Sequence, residues 1–218
     1  AVRAYSMGER GAKNAPATYA HNWVDDADIA RHEMLSGTKV LRPADCPGMV
    51  YFLPTPKSPH GVDVDPTGEF IVGGGKLATV IPVHSFSKML KAIEDKAFDG
   101  EAGGVPIIKY EAVMHCEVQN PGLGPLHTEF DGKGFAYTSL FIDSAVAKWS
   151  LSDLKLVEKL PVHHNIGHIM AAEGDTVSPD GKWVVAMNKM SMDRFTGVGP
   201  LFPQNFQLVD ASGEKMEI

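Results

Sequence analysis

A histidine followed by a Gly-containing turn and then a β-rich run occurs three times in this chain. Pro59-His60-Gly61 precedes Asp65-Pro66-Thr67-Gly68, Leu126-His127-Thr128 precedes Asp131-Gly132-Lys133-Gly134, and Gly167-His168-Ile169 precedes Pro179-Asp180-Gly181-Lys182. The runs that follow are Glu69-Phe70-Ile71-Val72, Phe135-Ala136-Tyr137-Thr138 and Trp183-Val184-Val185-Ala186. Imidazoles carried at matching places on successive repeats converge on one point when the repeats are arranged radially. Neutral imidazole is a frequent ligand of copper and zinc. Each of the three is expected shortly before a strand entering its repeat.

The other candidates are weaker. Of nine histidines, His163 and His164 are adjacent and point to opposite sides of an extended chain, so at most one faces the same centre as His168. His84, after Pro82-Val83, reads as structural or exposed. Met187, Met190 and Met192 cluster, and filling a core is a plainer role for them than a thioether copper site. Lys189 follows an apolar strand, and its ammonium reaches either a central channel or solvent. Asp63 with Asp65, and Glu129 with Asp131, fit turn chemistry better than a glycosidase pair. No P-loop, GxSxG elbow or HExxH appears.

The elements that must position these residues are short strands. From Gly48 onward, β-like runs alternate with turn dipeptides: Met49–Leu53, Phe70–Val72 ending in Gly73-Gly74-Gly75, then Ala78–Val83. A helix is expected over Ser87–Ala97, with Leu90, Ile93 and Ala97 on its buried face and Ser85 or Ser87 as cap. Phe135–Phe141 and Ala145–Leu151 flank Ile142-Asp143-Ser144 as the clearest hairpin. Trp183–Met187 with Phe206–Val209 forms another pair. Residues 1–47 differ in texture and read as a separate, mostly loop segment with a short helix over Asp28–Leu35. The histidines are 67 and 41 residues apart. Propeller blades run about 40–50 residues, so the first interval needs an insertion, which the helix and Gly100–Gly104 supply. The expected fold is all-β, a partial propeller of three to four blades over residues 48–218, with the helical insertion near 87–97.

Composition limits the partners. The chain has 218 residues, 44% of them hydrophobic and 22% charged, so it can bury a core. Its net charge of -7 argues against nucleic acid. No apolar stretch reaches the roughly 20 residues of a transmembrane helix, and no secretory signal is read at the amino end. Cys46 and Cys116 stand in no CxxC pattern, which disfavours a thiolate metal site. They form either one disulfide or two thiols.

Longer stretches resemble a known family. Phe52–Pro66, Gly122–Gly132 and Thr138–Ser144 are similar to the propeller of nitrous oxide reductase, and so are Gly167-His168, Val185–Lys189 and Asp193-Arg194-Phe195. The likeness covers about residues 48–218 and includes segments with and without ligands. It implies a seven-bladed propeller holding a tetranuclear copper–sulfide cluster (CuZ) through seven histidines. It also implies a carboxy-terminal cupredoxin domain with a dinuclear copper centre (CuA), absent from this chain. The implied enzyme is a periplasmic, head-to-tail homodimer that reduces N₂O to N₂ and water in denitrification, with a c-type cytochrome or cupredoxin as electron donor. By matching motifs, His60, His127 and His168 correspond to three cluster ligands and Lys189 to a catalytic lysine beside the cluster. Glu129 and Asp131 are candidates to orient His127. The family also binds calcium, with one ligand two residues before the histidine matched by His60; Ser58 stands there where asparagine is expected. Three imidazoles of seven leave these residues without the full ligand set, so the chain alone is expected to be inactive. The competing readings are a non-catalytic propeller scaffold and a simple three-histidine metal site.

Overall fold

The computed structural model describes residues 3–10, 15–18, 47–174, 176–188 and 205–218. The expected helix over Asp28–Leu35, Cys46, Lys189, Met190 and Met192 lie outside them. Strands β1 (Arg3–Arg10), β2 (Ala15–Thr18), β3 (Val50–Pro54), β7 (Phe98–Ala102) and β8 (Val105–Ile108) form one sheet in the order β2-β1-β3-β8-β7. It is mixed: β1 runs parallel to β3 and β3 to β8, so it is not a propeller blade. It falls in a first compact unit, residues 1–55 and 88–113, where Phe52 and Val105 pack together and Tyr51 stacks on Phe98.

The second unit, residues 56–87 and 114–218, is built of antiparallel sheets. The first has β4 (Pro59–Val64), β5 (Phe70–Gly75), β6 (Val80–Ser85) and β9 (Met114–Gln119); the second has β10 (Pro125–Phe130), β11 (Phe135–Leu140), β12 (Ala145–Ser150) and β13 (Leu156–Pro161). The third has β14 (Ile166–Ala172), β15 (Asp180–Asn188) and β16 (Phe206–Asp210). Each is a meander in spatial order, as in a propeller blade. β6 pairs directly with β9 although residues 86–113 intervene, so the excess length between the first two histidines is an insertion inside the first blade.

Packing between blades explains the strand sequences. Val72, Ile81, Val83 and Val118 of the first sheet meet Phe130, Ala136 and Trp149 of the second. Tyr137 and Val146, on the second sheet's other face, meet Ile166, Ile169, Val184, Ala186 and Val209 of the third. A middle sheet covered on both faces needs apolar or paired side chains at every position, and β11 and β12 are buried almost throughout. Trp149 Nε1 donates to Thr138 Oγ1 at 2.9 Å, and the Thr128 and Thr138 hydroxyls lie 2.7 Å apart. The outermost strand β13 alternates half-buried and exposed residues, as a rim strand should. The third sheet's remaining face exposes Trp183, Met187, Phe206 and Leu208.

The expected hairpins form. Tyr137 faces Lys148 and Ser139 faces Val146 across β11 and β12, and Trp183 faces Asp210 across β15 and β16. The helix differs from expectation. It spans α1 (Phe86–Glu94), burying Met89 and Ala92, while Leu90 is 44% exposed. Ala97 lies beyond its end, where Lys96 turns left-handed at φ 53° and the Ala97 N–H donates to Ala92 O, so the stripe through residue 97 has no helix to sit on. Ser85 stands immediately before its first residue. The Ser85 and Ser87 hydroxyls and the Ser87 N–H all donate to the Glu69 carboxylate, and the serine hydroxyls hold that carboxyl below its usual pKa. A second short helix, α2 (Tyr110–Val113), leads into β9. Cys116 is a free thiol, its pKa raised by burial.

His84 is fully buried in β6, the structural reading, and burial lowers its pKa from 6.5 to about 4. Above pH 6.5 the ring is neutral in folded and unfolded chains alike. Between pH 6.5 and 4 only the unfolded chain takes up the proton, so stability falls as pH falls, by about 3 kcal/mol at most. Urea unfolding at pH 7 and pH 4.5 should show this slope, and His84→Met should flatten it; an unchanged slope in the variant contradicts the assignment.

Candidate metal-ligand site

The three turn-associated histidines sit on the first strand of three successive blades: His60 on β4, His127 on β10 and His168 on β14. They lie within the strands and not ahead of them. Each falls inside a break of register with the neighbouring strand. The shift lies between Pro59 and Val62 in β4, between Pro125 and Thr128 in β10, and between Ile166 and Ile169 in β14. A bulge adds a residue to one strand and re-aims the side chain there. The same irregularity thus recurs at the same place in each blade, and the three rings come together. The His60 and His127 ring centres are 5.1 Å apart at 83°, and those of His127 and His168 are 5.0 Å apart at 37°.

Close approach of the inner strands makes this possible. Gly61 has φ +73°, and a Cβ on it would lie 2.1 Å from Leu126 O. A Cβ on Gly74 would lie 1.9 Å from His60 O and 2.1 Å from Leu126 O. Side chains at either position would push β10 away from β4.

Two polar ties cross the blades beside the rings. Asp63 Oδ2 accepts the Thr128 N–H at 2.7 Å, and its Oδ1 stands 3.9 Å from His127 Nδ1. The Ser139 hydroxyl accepts the His127 N–H at 3.2 Å and donates to Gly167 O at 2.8 Å, the carbonyl preceding His168. One hydroxyl therefore fixes the backbone of two of the histidines. Neither Asp63 nor Ser139 was singled out for this by sequence. Asp63 and Asp65 read as a turn pair, and only Asp65 behaves so, accepting from Thr67 and Phe70 N–H groups. Asp131 is spent on its own turn and on Tyr137 Oη, and Glu129 lies against Gly174. The carboxylate beside the His127 ring belongs to the neighbouring blade.

The remaining candidates are dispersed. His163 hydrogen-bonds through Nδ1 to Asn205 Oδ1 at 2.9 Å. Ser58 is exposed at φ 58°, a left-handed conformation in which asparagine is enriched. Asn188, the residue before Lys189, pairs with Ile166, two positions before His168. Among the described residues no group of three or more His, Cys, Asp or Glu side chains is placed to hold a metal ion. The row of imidazoles is a set of donors gathered on one side. Imidazole nitrogen is a donor type that suits copper and zinc.

Residues 159–218 match the family described as the nitrous oxide reductase propeller repeat. The nitrous-oxide reductase of Stutzerimonas stutzeri is 38% identical over 177 residues, 77% of this chain and 26% of that protein. That of Ralstonia nicotianae is 36% identical over 194 residues, 84% of this chain and 28% of that protein. That of Cupriavidus necator is 37% identical over 194 residues, with the same coverage of 84% and 28%. The chain spans about a quarter of the length of the curated relatives it matches.

Ser139→Ala should leave the His127 N–H and Gly167 O without their shared partner and cost about 1–3 kcal/mol. Urea unfolding measures the loss; an unchanged midpoint contradicts the role given to this hydroxyl.

Proposed function

We infer that this chain, which belongs to the nitrous oxide reductase family, is a propeller segment supplying part of the ligand set of that enzyme's copper–sulfide cluster. The observation that carries the reading is the row of His60, His127 and His168, each at the same bulge of successive inner strands with ring centres about 5 Å apart. The residues suit the group in their donor chemistry: three imidazoles on strands that Ser139 and Asp63 fix to one another. When bound, the cluster supplies the electrons that reduce N₂O to N₂ and water.

The chain's own residues perform the holding and orienting. His60, His127 and His168 each present one ring nitrogen to copper and keep the other for a hydrogen bond that sets the tautomer. Asp63 stands where it favours a proton on His127 Nδ1. Lys189, which lies outside the described residues, takes its role from the matching motif alone: a fixed positive charge there would steady developing negative charge on substrate oxygen.

The exposed apolar face of the third sheet is where the next blade of a closed ring would pack. The whole enzyme, in this reading, is a periplasmic head-to-tail homodimer whose CuA-bearing cupredoxin domain receives electrons from a c-type cytochrome or a cupredoxin. The propeller blades of this reading lie within residues 56–87 and 114–218, while β1 pairs with β3 in the mixed sheet of the other unit. The 218 residues alone, with three of seven ligands, turn over no N₂O. A calcium ion near the cluster would take Ser58 in place of asparagine, with weaker donation.

In the complete enzyme, His127→Ala should abolish the cluster's visible absorption and its acid-labile sulfide while the CuA spectrum persists. Retention of cluster absorption would contradict the ligand assignment, and one metal per chain without sulfide would favour a simple three-histidine site. Lys189→Ala should keep copper content and lower kcat by about 10². An unchanged kcat removes Lys189 from the site.

A further inference from the structure

A second site stands apart from the histidine row. A cleft of about 580 Å³ opens between the second and third sheets, lined by Phe135, Lys148, Val157 and the Ala211–Glu214 turn, with Asp131 and Lys133 at its edge. Lys148 is the unusual member. It lies mid-strand in β12 and is 3% exposed, yet it makes no ion pair with a carboxylate among the described residues.

Its surroundings replace only part of the lost hydration. The ammonium lies 4.7 Å from the Phe135 ring centre and 6.0 Å from that of Tyr137, within range of cation–π attraction. One proton reaches Glu214 O at a long 3.5 Å. Glu158, directly opposite Lys148 in the β12–β13 register, turns instead to the Met216 N–H at 2.9 Å. The acid best placed to neutralise the lysine is thus committed elsewhere. An ammonium has three donors, and burying one without acceptors is costly. The cleft is the side from which acceptors can come.

We propose that this cleft binds a small monocarboxylate with a compact apolar body. The carboxylate takes the two free donor directions of Lys148, and the apolar body lies against Phe135, Val157 and Ala211. A single negative charge is favoured over a double one because Asp131 and Glu214 already offset Lys133 and Lys148 in the lining, leaving no excess positive charge for a dianion. Asp131 accepts from the Lys133 and Phe135 N–H groups and from Tyr137 Oη, and it makes no ion pair with Lys148.

Titration calorimetry of the full-length protein with sodium benzoate tests this, with inorganic phosphate and benzyl alcohol as comparisons. Benzoate should bind saturably, and phosphate and benzyl alcohol at least tenfold more weakly. Lys148→Met, which keeps the packing on Phe135 without the charge, should weaken benzoate at least tenfold. Val157→Trp, at a position 50% exposed, should fill the cleft and abolish binding while leaving Lys148 in place. Absence of benzoate binding, equal affinity for phosphate, or unaltered affinity in both variants would overturn the proposal.

Discussion

The recurrent bulge at the histidine of each inner strand is the constraint on which the site depends. A regular strand would place residues 60, 127 and 168 according to the two-residue alternation, each facing a neighbouring blade. The register breaks free these residues from the ladder and turn them together. The irregularity has a cost, because a bulge leaves backbone groups without their ladder partners. Ser139 meets part of it, accepting from His127 N and donating to Gly167 O, and Asp63 meets another part through Thr128 N. The groups that satisfy the bulges are the same ones that join the blades. Position of the rings and cohesion of the inner strands are therefore one property.

The apolar packing serves this arrangement from the outside. Trp149, Phe130 and Ile81 fill the space between the first two sheets; Tyr137, Ile166 and Val184 fill that between the second and third. Where β4 meets β10 the space is left by glycines, Gly61 on β4 and Gly74 on β5, which lets the strands that carry His60 and His127 approach. At the turn end, Gly132 approaches Pro179 O, and Gly181 approaches Asp131, so the second and third blades come equally close there.

Much of this was legible in the sequence. The repeated His-turn-strand pattern marked one unit per blade, although the run after each turn is the blade's second strand and the histidine lies on the first, and the excess spacing between His60 and His127 located the insertion. The hairpins at Ile142–Ser144 and at Trp183 followed from turn residues and alternation. The bulges were not legible as such, although Gly61 and Gly167 inside apolar strands are the signal such irregularities leave. The role of Asp63 was hidden because it depends on a partner 65 residues away, and local reading gave it to a turn. Ser139 stood only as one residue of the expected Phe135–Phe141 strand. The helix boundary failed for a local reason: Lys96 adopts a left-handed conformation that its residue type does not announce. The unpaired Lys148 was equally invisible, since a lysine opposite a glutamate in a hairpin normally reads as an ion pair.

The central claim is that three blades present His60, His127 and His168 to one copper-bearing group. Diffraction from crystals of the complete enzyme, recorded at the copper absorption edge, tests it most directly. The account predicts anomalous density in contact with a ring nitrogen of each of the three histidines, continuous with the rest of one cluster. Copper density that leaves any of these rings without contact, or rings directed away from a common group, would contradict it.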